Sequence, residues 1–356
     1  MNWLSALRGL FAAGDPGGVR RRATVLGLTG ALLALALAAL AAAQEDGPLW
    51  ASGVAGDTRF GVIVTNHRDL GQVLRLLRTP WYIDQGYQPV AQPAGSRRAL
   101  KVRTDTLEPA SDLRAAARAQ PGSYWIIGNE PNVPGQDDRT PDEYAAAFRY
   151  YERTIRSVDP TAHLVAPEIL NFDATCQGCG GFTSGREWLE GFRAAYRDRY
   201  GTEPPIDIWS IHTYDMDWTR LPMGDAALQT QQIRDYRAYL DSVPNSAGRP
   251  IWLTEFAIVW AYDGVEWRDH GGEARAYPVG AFRLDAASAY LREMLEWLTT
   301  AGPAHQVERW FLFSSHGYTD PWAAAIGGIA LAESDPSGPR LTAFGEMVRR
   351  FSGRAR

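Results

Sequence analysis

Residues 124–132 read Tyr-Trp-Ile-Ile-Gly-Asn-Glu-Pro-Asn, and this stretch shows how the chain is built. Its apolar and aromatic start predicts a short buried strand. A polar pair follows at once, and Pro131 lacks the N–H that further strand pairing would need. A similar stretch occurs at residues 250–257, Pro-Ile-Trp-Leu-Thr-Glu-Phe-Ala, where Glu255 follows an apolar run. Each stretch therefore predicts a strand that ends at a glutamate.

Strand patterns of this kind alternate with helical patterns along residues 55–351. Eight short runs rich in β-branched and aromatic residues predict strands: Arg59 to Thr65, Thr79 to Asp84, Ala99 to Thr104, Tyr124 to Gly128, His163 to Pro167, Ile206 to His212, Ile251 to Thr254 and Val307 to Phe313. Amphipathic stretches of helical period lie between most of them, and the clearest are Ser111 to Ala119, Pro141 to Ser157, Arg186 to Tyr200, Ala226 to Val243, Arg283 to Thr300 and Leu341 to Phe351. The segment from Gly86 to Arg98 holds too much glycine and proline for a full helix.

Eight strands alternating with helices over about 300 residues are typical of an α/β fold, and specifically of a (β/α)8 TIM barrel. The competing topology is an open, doubly wound sheet. Such a sheet normally binds a nucleotide through a Gly-x-Gly-x-x-Gly turn after its first strand, and that turn is absent here. We therefore predict a single domain over residues 55–351 that folds as a barrel. In a barrel the chemistry lies where the strands end and the βα loops begin.

The composition excludes several classes of protein. The chain has 356 residues, of which 45% are hydrophobic and 22% charged, so it carries enough apolar surface to fold and is not a disordered chain. With a formal net charge of −5, the chain lacks the excess of positive charge that binds a phosphate backbone, so nucleic acid is not an expected partner. Lys101 is the only lysine, and Gly-Lys never occurs, which excludes a Walker-type phosphate loop. Two cysteines without paired metal-binding spacing exclude a structural zinc domain.

The amino-terminal segment predicts export. Residues 23–43 are uncharged and apolar and directly follow three arginines. The stretch is long enough to cross about 30 Å of hydrocarbon as a helix, which fits an uncleaved anchor. An Ala-x-Ala site ending at Ala43 fits removal of a signal peptide instead. Residues 1–43 are therefore a signal peptide or a signal anchor, and both alternatives place residues 44–356 outside the membrane, in the extracellular space or at the cell surface.

Two glutamates, Glu130 and Glu255, close the predicted fourth and seventh strands. Taken singly, each is equally well explained as a helix cap or as the partner of an arginine; as a pair at equivalent strand ends they indicate a functional site. The sequence around them resembles clan A of the glycoside hydrolases, whose barrels carry Asn-Glu-Pro after strand four and Thr-Glu-Phe or Thr-Glu-Tyr after strand seven. This resemblance implies that Glu130 is the general acid/base and that Glu255 is the nucleophile. Within the clan, the chain looks most like the β-1,3-glucan hydrolases of family 128, although xylosidase and mannanase relatives share the same strings.

Glycoside hydrolysis explains why two carboxyl groups are needed. The transition state resembles an oxocarbenium ion and is flanked by one acid that protonates the leaving oxygen and one carboxylate on the other side. A separation of about 5 to 5.5 Å gives retention of configuration, and about 6.5 to 9.5 Å gives inversion. Strands four and seven face each other across a barrel mouth and can supply the shorter distance, so we predict a retaining enzyme. Hydrogen bonds are expected to keep Glu255 ionised, and neither a metal nor a cofactor is required.

Further residues are predicted to bind the substrate. Asn129 resembles the residue of the clan that donates to the sugar 2-hydroxyl. His212 and Tyr214 have the same parity on strand six, so both can face inward, and the Tyr214 hydroxyl could donate to Glu255. A strand-eight tryptophan resembles the substrate platform of the clan, and the loops are rich in aromatic rings of the kind that stack on sugars. The remaining candidates are Trp310, Trp81, Trp260 and Arg103, for each of which core packing or an ion pair is the alternative explanation.

The crowding of aromatic residues favours a cleft for a polysaccharide or oligosaccharide over a pocket for one sugar. We therefore predict an endo-acting β-glucanase, acting as a monomer, with membrane contact only through the amino-terminal segment if that segment is uncleaved. Two alternatives stay open: an exo-β-glycosidase of the xylosidase kind, and a surface carbohydrate-binding barrel that has lost turnover. The presence of both glutamates argues against the second. Cys176 and Cys179 are predicted to form a small local disulfide, the alternative being a redox-active pair.

Overall fold

Eight parallel strands close into a barrel in the computed structural model, which describes residues 57–173, 184–217, 220–263, 280–317 and 328–354. Each strand pairs with its neighbours in chain order, and β8 pairs back onto β1. The predicted (β/α)8 fold is thereby confirmed. The strands are β1 (Phe60–Ile63), β2 (Trp81–Ile83), β3 (Arg97–Val102), β4 (Tyr124–Ile127), β5 (His163–Leu170), β6 (Ile208–Thr213), β7 (Ile251–Phe256) and β8 (Val307–Leu312).

Seven α-helices occupy the described part of the chain, and all six predicted helices are among them. They are α1 (Leu70–Leu77), α2 (Ala110–Ala119), α3 (Pro141–Arg156), α4 (Gly185–Tyr200), α5 (Ala226–Ser242), α6 (Leu284–Thr300) and α7 (Ala343–Ser352). The segment between β2 and β3 contains no helix, as its glycine and proline content predicted. The additional helix, α1, is short and presents Leu70, Val73, Leu74 and Leu77 to the core.

Two other features were not predicted. A short 3₁₀ helix, Gly302–His305, leads into β8. Beyond β8, strands β9 (Ala332–Glu333) and β10 (Arg340–Leu341) form a two-stranded antiparallel sheet before α7. Two-residue strands are too short to show the period-two pattern from which strands are recognised in a sequence.

The side chains of the barrel strands form two separate cores. One cluster fills the barrel interior and includes Trp81, Trp252 and Phe311. A much larger cluster lies between the barrel and the surrounding helices and includes Trp125, Trp209 and Trp310. Successive residues of a strand point to opposite faces, so a shift of one position moves a side chain from one core to the other. This alternation decides which predicted residues can reach the barrel mouth.

The first helix after β4 is fixed at its start by side chains. Thr140 caps α3 by accepting from the backbone N–H of Glu143, and the Glu143 carboxylate accepts in return from the Thr140 N–H. Pro141 occupies the first helical position, where a missing N–H costs nothing. This cap anchors the far end of the loop that begins at Asn129.

Residues 1–56 lie outside the described ranges, and so does the predicted signal or anchor. Among the helices that the structure describes, none is both long enough and apolar enough to cross a membrane. Cys176 and Cys179 also fall outside the described residues, so their predicted disulfide stays a prediction.

Candidate active site

Glu130 and Glu255 both lie at the carboxyl-terminal mouth of the barrel. Glu130 follows β4, and Glu255 is the next-to-last residue of β7. The backbone at Glu130 is unusual, since its φ of 46° is in the left-handed region, two residues after Gly128 with a φ of 101°. Its N–H donates to the carbonyl of Glu168 on β5 over 3.1 Å, which holds the strained segment in place. Backbone strain of this kind concentrates at functional sites.

The imidazole of His212 connects the two glutamates. Its Nδ1 lies 2.8 Å from Oε1 of Glu130 and 3.6 Å from Oε2 of Glu255. On its other edge, Nε2 lies 3.5 Å from Oε1 of Glu168. The ring is completely buried, which alone would lower its pKa. The carboxylates of Glu255 and Glu168 and the hydrogen bond to Glu130 outweigh burial and raise the pKa of His212 to about 10.

Tyr214 lies beside Glu255, as the parity of β6 predicted. Its hydroxyl donates to Oε1 of Glu255 over 2.7 Å. Burial, together with the adjacent Glu255 carboxylate, raises the pKa of Tyr214 well above its ordinary value, so the phenol stays a donor. Burial also raises the pKa of Glu255, and the His212 charge and the Tyr214 hydrogen bond only partly oppose it. Hydrogen bonding alone therefore does not keep Glu255 ionised, and the cationic His212 is the main opposing influence.

Two charged residues in this cluster, Lys101 and Glu168, were missed in the sequence. Lys101, on β3, places Nζ 2.7 Å from Oε2 of Glu168, and both side chains are buried. Burial would raise the pKa of Glu168, but the charges of Lys101 and His212 lower it to about 2. A single lysine within a strand and a glutamate inside the apolar run His163 to Leu170 were the available signals. A charge almost never lies in such a run unless it is paired.

Asn129 is held in one orientation by its neighbours. Lys101 Nζ donates to its Oδ1 over 2.5 Å, while its Nδ2 donates to Oε1 of Gln136 over 2.9 Å. Because a lysine can only donate, the amide oxygen must face Lys101 and the amide nitrogen must face away. Its backbone N–H donates to Asp137 over 3.0 Å. Asn129 can therefore offer a ligand a donor, as its predicted role requires.

Arg103 lies at the edge of the cluster. Its guanidinium is part-exposed and forms ion pairs with Asp137 and, at 3.4 Å, with Asp105. The buried Asp137 also accepts from the N–H and hydroxyl of Thr104. Burial raises the pKa of Asp137, with these hydrogen bonds and Arg103 in opposition. The structure thus gives Arg103 a structural partner, and its contact with substrate stays a prediction.

The three tryptophans predicted as substrate platforms are buried, and this corrects the prediction. Trp310 has no exposed surface, because it lies on the outer face of β8 and packs edge-on against Phe60 with ring centroids 4.9 Å apart. Trp81 is only 2% exposed and points into the barrel, where it packs edge-on against Trp252. It is the first residue of β2 and so lies at the end of the barrel opposite the mouth.

Trp260 differs from the other two because it follows β7 and lies in a mouth loop. Its ring is nevertheless only 2% exposed and packs against Tyr262, with centroids 5.8 Å apart. Three further tryptophans of the aromatic-rich loops, Trp218, Trp267 and Trp322, lie outside the described residues. No cluster of His, Cys, Asp and Glu in the described ranges has an arrangement that could hold a metal ion.

Comparison with known families gives a match over most of the barrel. Residues 103–345 match the family described as the glycosyl hydrolase catalytic core. The match begins directly after β3 and extends to the start of α7, so it includes both glutamates. No curated protein gives a significant match.

Solved structures with the same fold include β-1,3-glucanases. A GH128 (subgroup II) endo-β-1,3-glucanase from Pseudomonas viridiflava is 21% identical, with a TM-score of 0.58 and coverage of 82% of this chain and 97% of that one. A subgroup I enzyme from Amycolatopsis mediterranei, in complex with laminaritriose, is 21% identical, with a TM-score of 0.53 and coverage of 83% and 99%. A subgroup III exo-β-1,3-glucanase from Blastomyces gilchristii is 17% identical, with a TM-score of 0.51 and coverage of 81% and 97%. The resemblance that the strand-end motifs indicated is confirmed.

Proposed function

Because the chain belongs to the glycosyl hydrolase catalytic core family, we propose that it is a retaining glycoside hydrolase that cleaves β-linked polysaccharide by double displacement. Glu130 is the acid/base and Glu255 the nucleophile. The observation that carries this proposal is the contact of both carboxylates with one imidazole nitrogen of His212.

The distances support retention. Since the same nitrogen lies 2.8 Å from one glutamate oxygen and 3.6 Å from the other, these two oxygens are separated by no more than the combined length, about 6.4 Å. Inverting enzymes place their carboxyl groups roughly 6.5 to 9.5 Å apart so that a water fits between them. The limit found here includes the retaining separation of about 5 to 5.5 Å and lies below the inverting range, so it favours direct attack by Glu255.

The reaction then follows two steps. Glu255 attacks the anomeric carbon while Glu130 transfers its proton to the departing glycosidic oxygen, which breaks the bond and leaves a glycosyl group on Glu255. A water next attacks the same carbon, Glu130 takes the proton of that water, and the carboxylate of Glu255 departs. Tyr214 and His212 donate to the carboxylates, and Asn129 offers its Nδ2 to a sugar hydroxyl.

The substrate we propose is a β-glucan, and the action endo. The solved structures with the same fold include endo-β-1,3-glucanases, one of them in complex with laminaritriose. Both Asn129 and the paired carboxylates are suited to sugars. We further propose that the domain acts outside the cytoplasm, since the apolar residues 23–43 indicate export. The proposed enzyme is a monomer.

The test is hydrolysis of a glycan panel. The protein is incubated with β-1,3-glucan, xylan and mannan beside the Glu130→Ala and Glu255→Ala variants, with EDTA present throughout. We expect oligosaccharides from the β-glucan with the unsubstituted protein alone, and ¹H NMR of the first product should show the β-anomer. A first product in the α-configuration would contradict retention. Release of single sugars would favour exo action, and binding without any product would favour a carbohydrate-binding barrel.

A further inference from the structure

The two catalytic glutamates are backed by a second, deeper layer of charge. Behind His212, as seen from the mouth, lie Glu168 on β5 and Lys101 on β3, neither of which reaches the surface. The proposed hydrolysis assigns no proton transfer to either residue. Two buried charges are costly to maintain, and replacement of such a pair by apolar residues is often neutral or stabilising. Their presence therefore calls for an explanation other than stability.

We propose that Lys101 and Glu168 are positioning residues that hold His212 as a cation and thereby set the pH range in which Glu130 and Glu255 work. The inference rests on the proposed function, because it concerns the same pair of glutamates. Lys101 and Glu168 are called the buried ion pair below.

The geometry gives His212 one carboxylate on each edge. Nδ1 faces Glu130 at 2.8 Å, with Glu255 at 3.6 Å, while Nε2 faces Glu168 at 3.5 Å. A neutral imidazole carries a proton on only one nitrogen, so its other edge would present a lone pair to the carboxylate of Glu168 or, at Nδ1, to that of Glu255. Only the cation directs a proton towards both edges. Glu168 therefore selects the charged form of the ring.

Lys101 prevents Glu168 from taking the proton itself. Its Nζ lies 2.7 Å from Oε2, the oxygen of Glu168 that does not face His212. Two further charged groups border this layer, the buried Asp137 and Arg103, and they form an ion pair with each other. The neighbouring tyrosines are neutral: Tyr214 donates to Glu255, and the buried phenol of Tyr144 donates to the carbonyl of Ile127. Both tyrosines have a pKa well above the ordinary value because of burial.

The charges of the whole cluster balance in the state that starts the reaction. Two cations, Lys101 and His212, face two anions, Glu168 and Glu255, while the catalytic acid carries its proton. Removal of one member of the buried ion pair must therefore shift the carboxylates in a direction that depends on its sign. Loss of an anion makes the site more positive and lowers the pH at which the carboxylates titrate; loss of a cation does the opposite.

The experiment measures kcat/KM against pH for Glu168→Gln and for Lys101→Met. We expect both limbs of the profile to move to lower pH in Glu168→Gln and to higher pH in Lys101→Met, each by about one unit. Glu168→Asp keeps the charge and should restore the profile even if its rate is lower. Glu203→Gln is the matched control, because it breaks the ion pair with Arg193 on α4, away from the mouth, and should not move the limbs. Slower hydrolysis with unmoved limbs in both variants would reduce the buried ion pair to a structural role and overturn the proposal.

A second measurement is independent of activity, and its main readout is taken on the unsubstituted protein. The ¹⁵N signals of labelled His212, assigned by their loss in His212→Phe, should remain those of a cation at pH 8 in the unsubstituted protein. In Glu168→Gln the neutral form should appear at lower pH. A neutral His212 at pH 8 in the unsubstituted protein overturns this proposal whether or not any glycan is cleaved. Absence of hydrolysis with a cationic His212 would instead overturn only the proposed function.

Discussion

Glu255 is held in a position that suits attack on a sugar carbon, with one oxygen bonded to Tyr214 and the other near His212. Replacement of this side chain by glycine removes the proposed nucleophile and leaves a space in its place. We expect Glu255→Gly to lower kcat by about 10⁴-fold or more, since removal of a nucleophile costs rates of that order. Added azide should then fill the space and yield a glycosyl azide, detected by mass spectrometry.

The unsubstituted protein in the same azide buffer serves as the control and should give no glycosyl azide. Unchanged turnover in Glu255→Gly would remove this residue from the mechanism as nucleophile.

The rate loss on removal of Glu130 is expected to be larger for a leaving group that needs protonation than for one that departs without it. In Glu130→Ala we expect hydrolysis of a natural glycan to fall by about 10²- to 10⁴-fold, the range for general acid catalysis. An activated aryl glycoside departs without protonation, so the first step on it should be much less affected. The comparison is made by kcat/KM on the two substrates, and equal losses on both would count against the acid role.

At the residue scale, the strand ends carried most of the information. Glu130, Glu255 and Tyr214 were predicted because each follows or closes a recognisable strand, and the parity of β6 put His212 and Tyr214 on one side. Lys101 and Glu168 were missed because their meaning depends on β3, β5 and β6 meeting in space. Their burial as an ion pair is a property of the closed barrel, and residues 67 positions apart show no pattern that a sequence reveals.

At the scale of the element, β8 shows that the alternation of side chains along a strand determines which residues can reach a substrate. Trp310 was predicted to stack on sugar, whereas the structure places it on the outer face, against Phe60 and beneath the guanidinium of Arg59 at 4.7 Å. Phe311, the next residue, fills the barrel interior instead. Resemblance to the clan's platform tryptophan identifies the residue type on β8 but not the face of the strand on which it lies, whereas the alternation along β6 places His212 and Tyr214 on the same face.

The corrected position of Trp310 makes a measurable difference. We expect Trp310→Leu to lower the free energy of unfolding by about 3 kcal/mol, because a large buried ring is replaced by a smaller side chain that leaves a cavity. The KM for glucan should not change, since the ring is fully buried on the outer face of the barrel. Urea denaturation and steady-state kinetics on the same preparation measure both quantities.

Phe60→Leu and the double variant complete a cycle for this pair. The two rings meet edge-on at 69°, so we expect a coupling energy of about 0.5 to 1.5 kcal/mol. A raised KM without loss of stability in Trp310→Leu would restore the platform role and contradict the structure.

At the scale of the whole molecule, the alternation of strands and helices was sufficient to predict a closed barrel. What closes it is visible only in space: β8 pairs with β1 across nearly the whole chain, with Trp310 in register with Phe60. The two-stranded sheet of β9 and β10 and helix α1 escaped prediction because they are short, and short elements carry few repeats of any period. The barrel could therefore be predicted from the sequence, while the buried ion pair of Lys101 and Glu168 could not.

That buried charge should also govern how the stability of the whole molecule depends on pH. The pKa of Glu168 is lowered from an ordinary 4.5 to about 2, so its contribution is present above pH 4.5 and is lost as the pH falls towards 2. The pKa of His212 is raised from 6.5 to about 10, so its contribution is present below pH 6.5 and is lost as the pH rises towards 10. The raised pKa of Glu255 adds a contribution that is present below pH 4.5 and is lost as the pH rises above it, which moves the maximum towards the acid end of the range between these two limits. We therefore expect the Tm to be highest between about pH 4.5 and 6.5 and to fall on both sides.

Differential scanning calorimetry from pH 2 to 10 measures this pH dependence of the Tm. Glu168→Gln should flatten the acid side of the curve, while Glu203→Gln should not. A Tm that rises between pH 6.5 and 10 would show that the cluster does not hold His212 as a cation in the folded state.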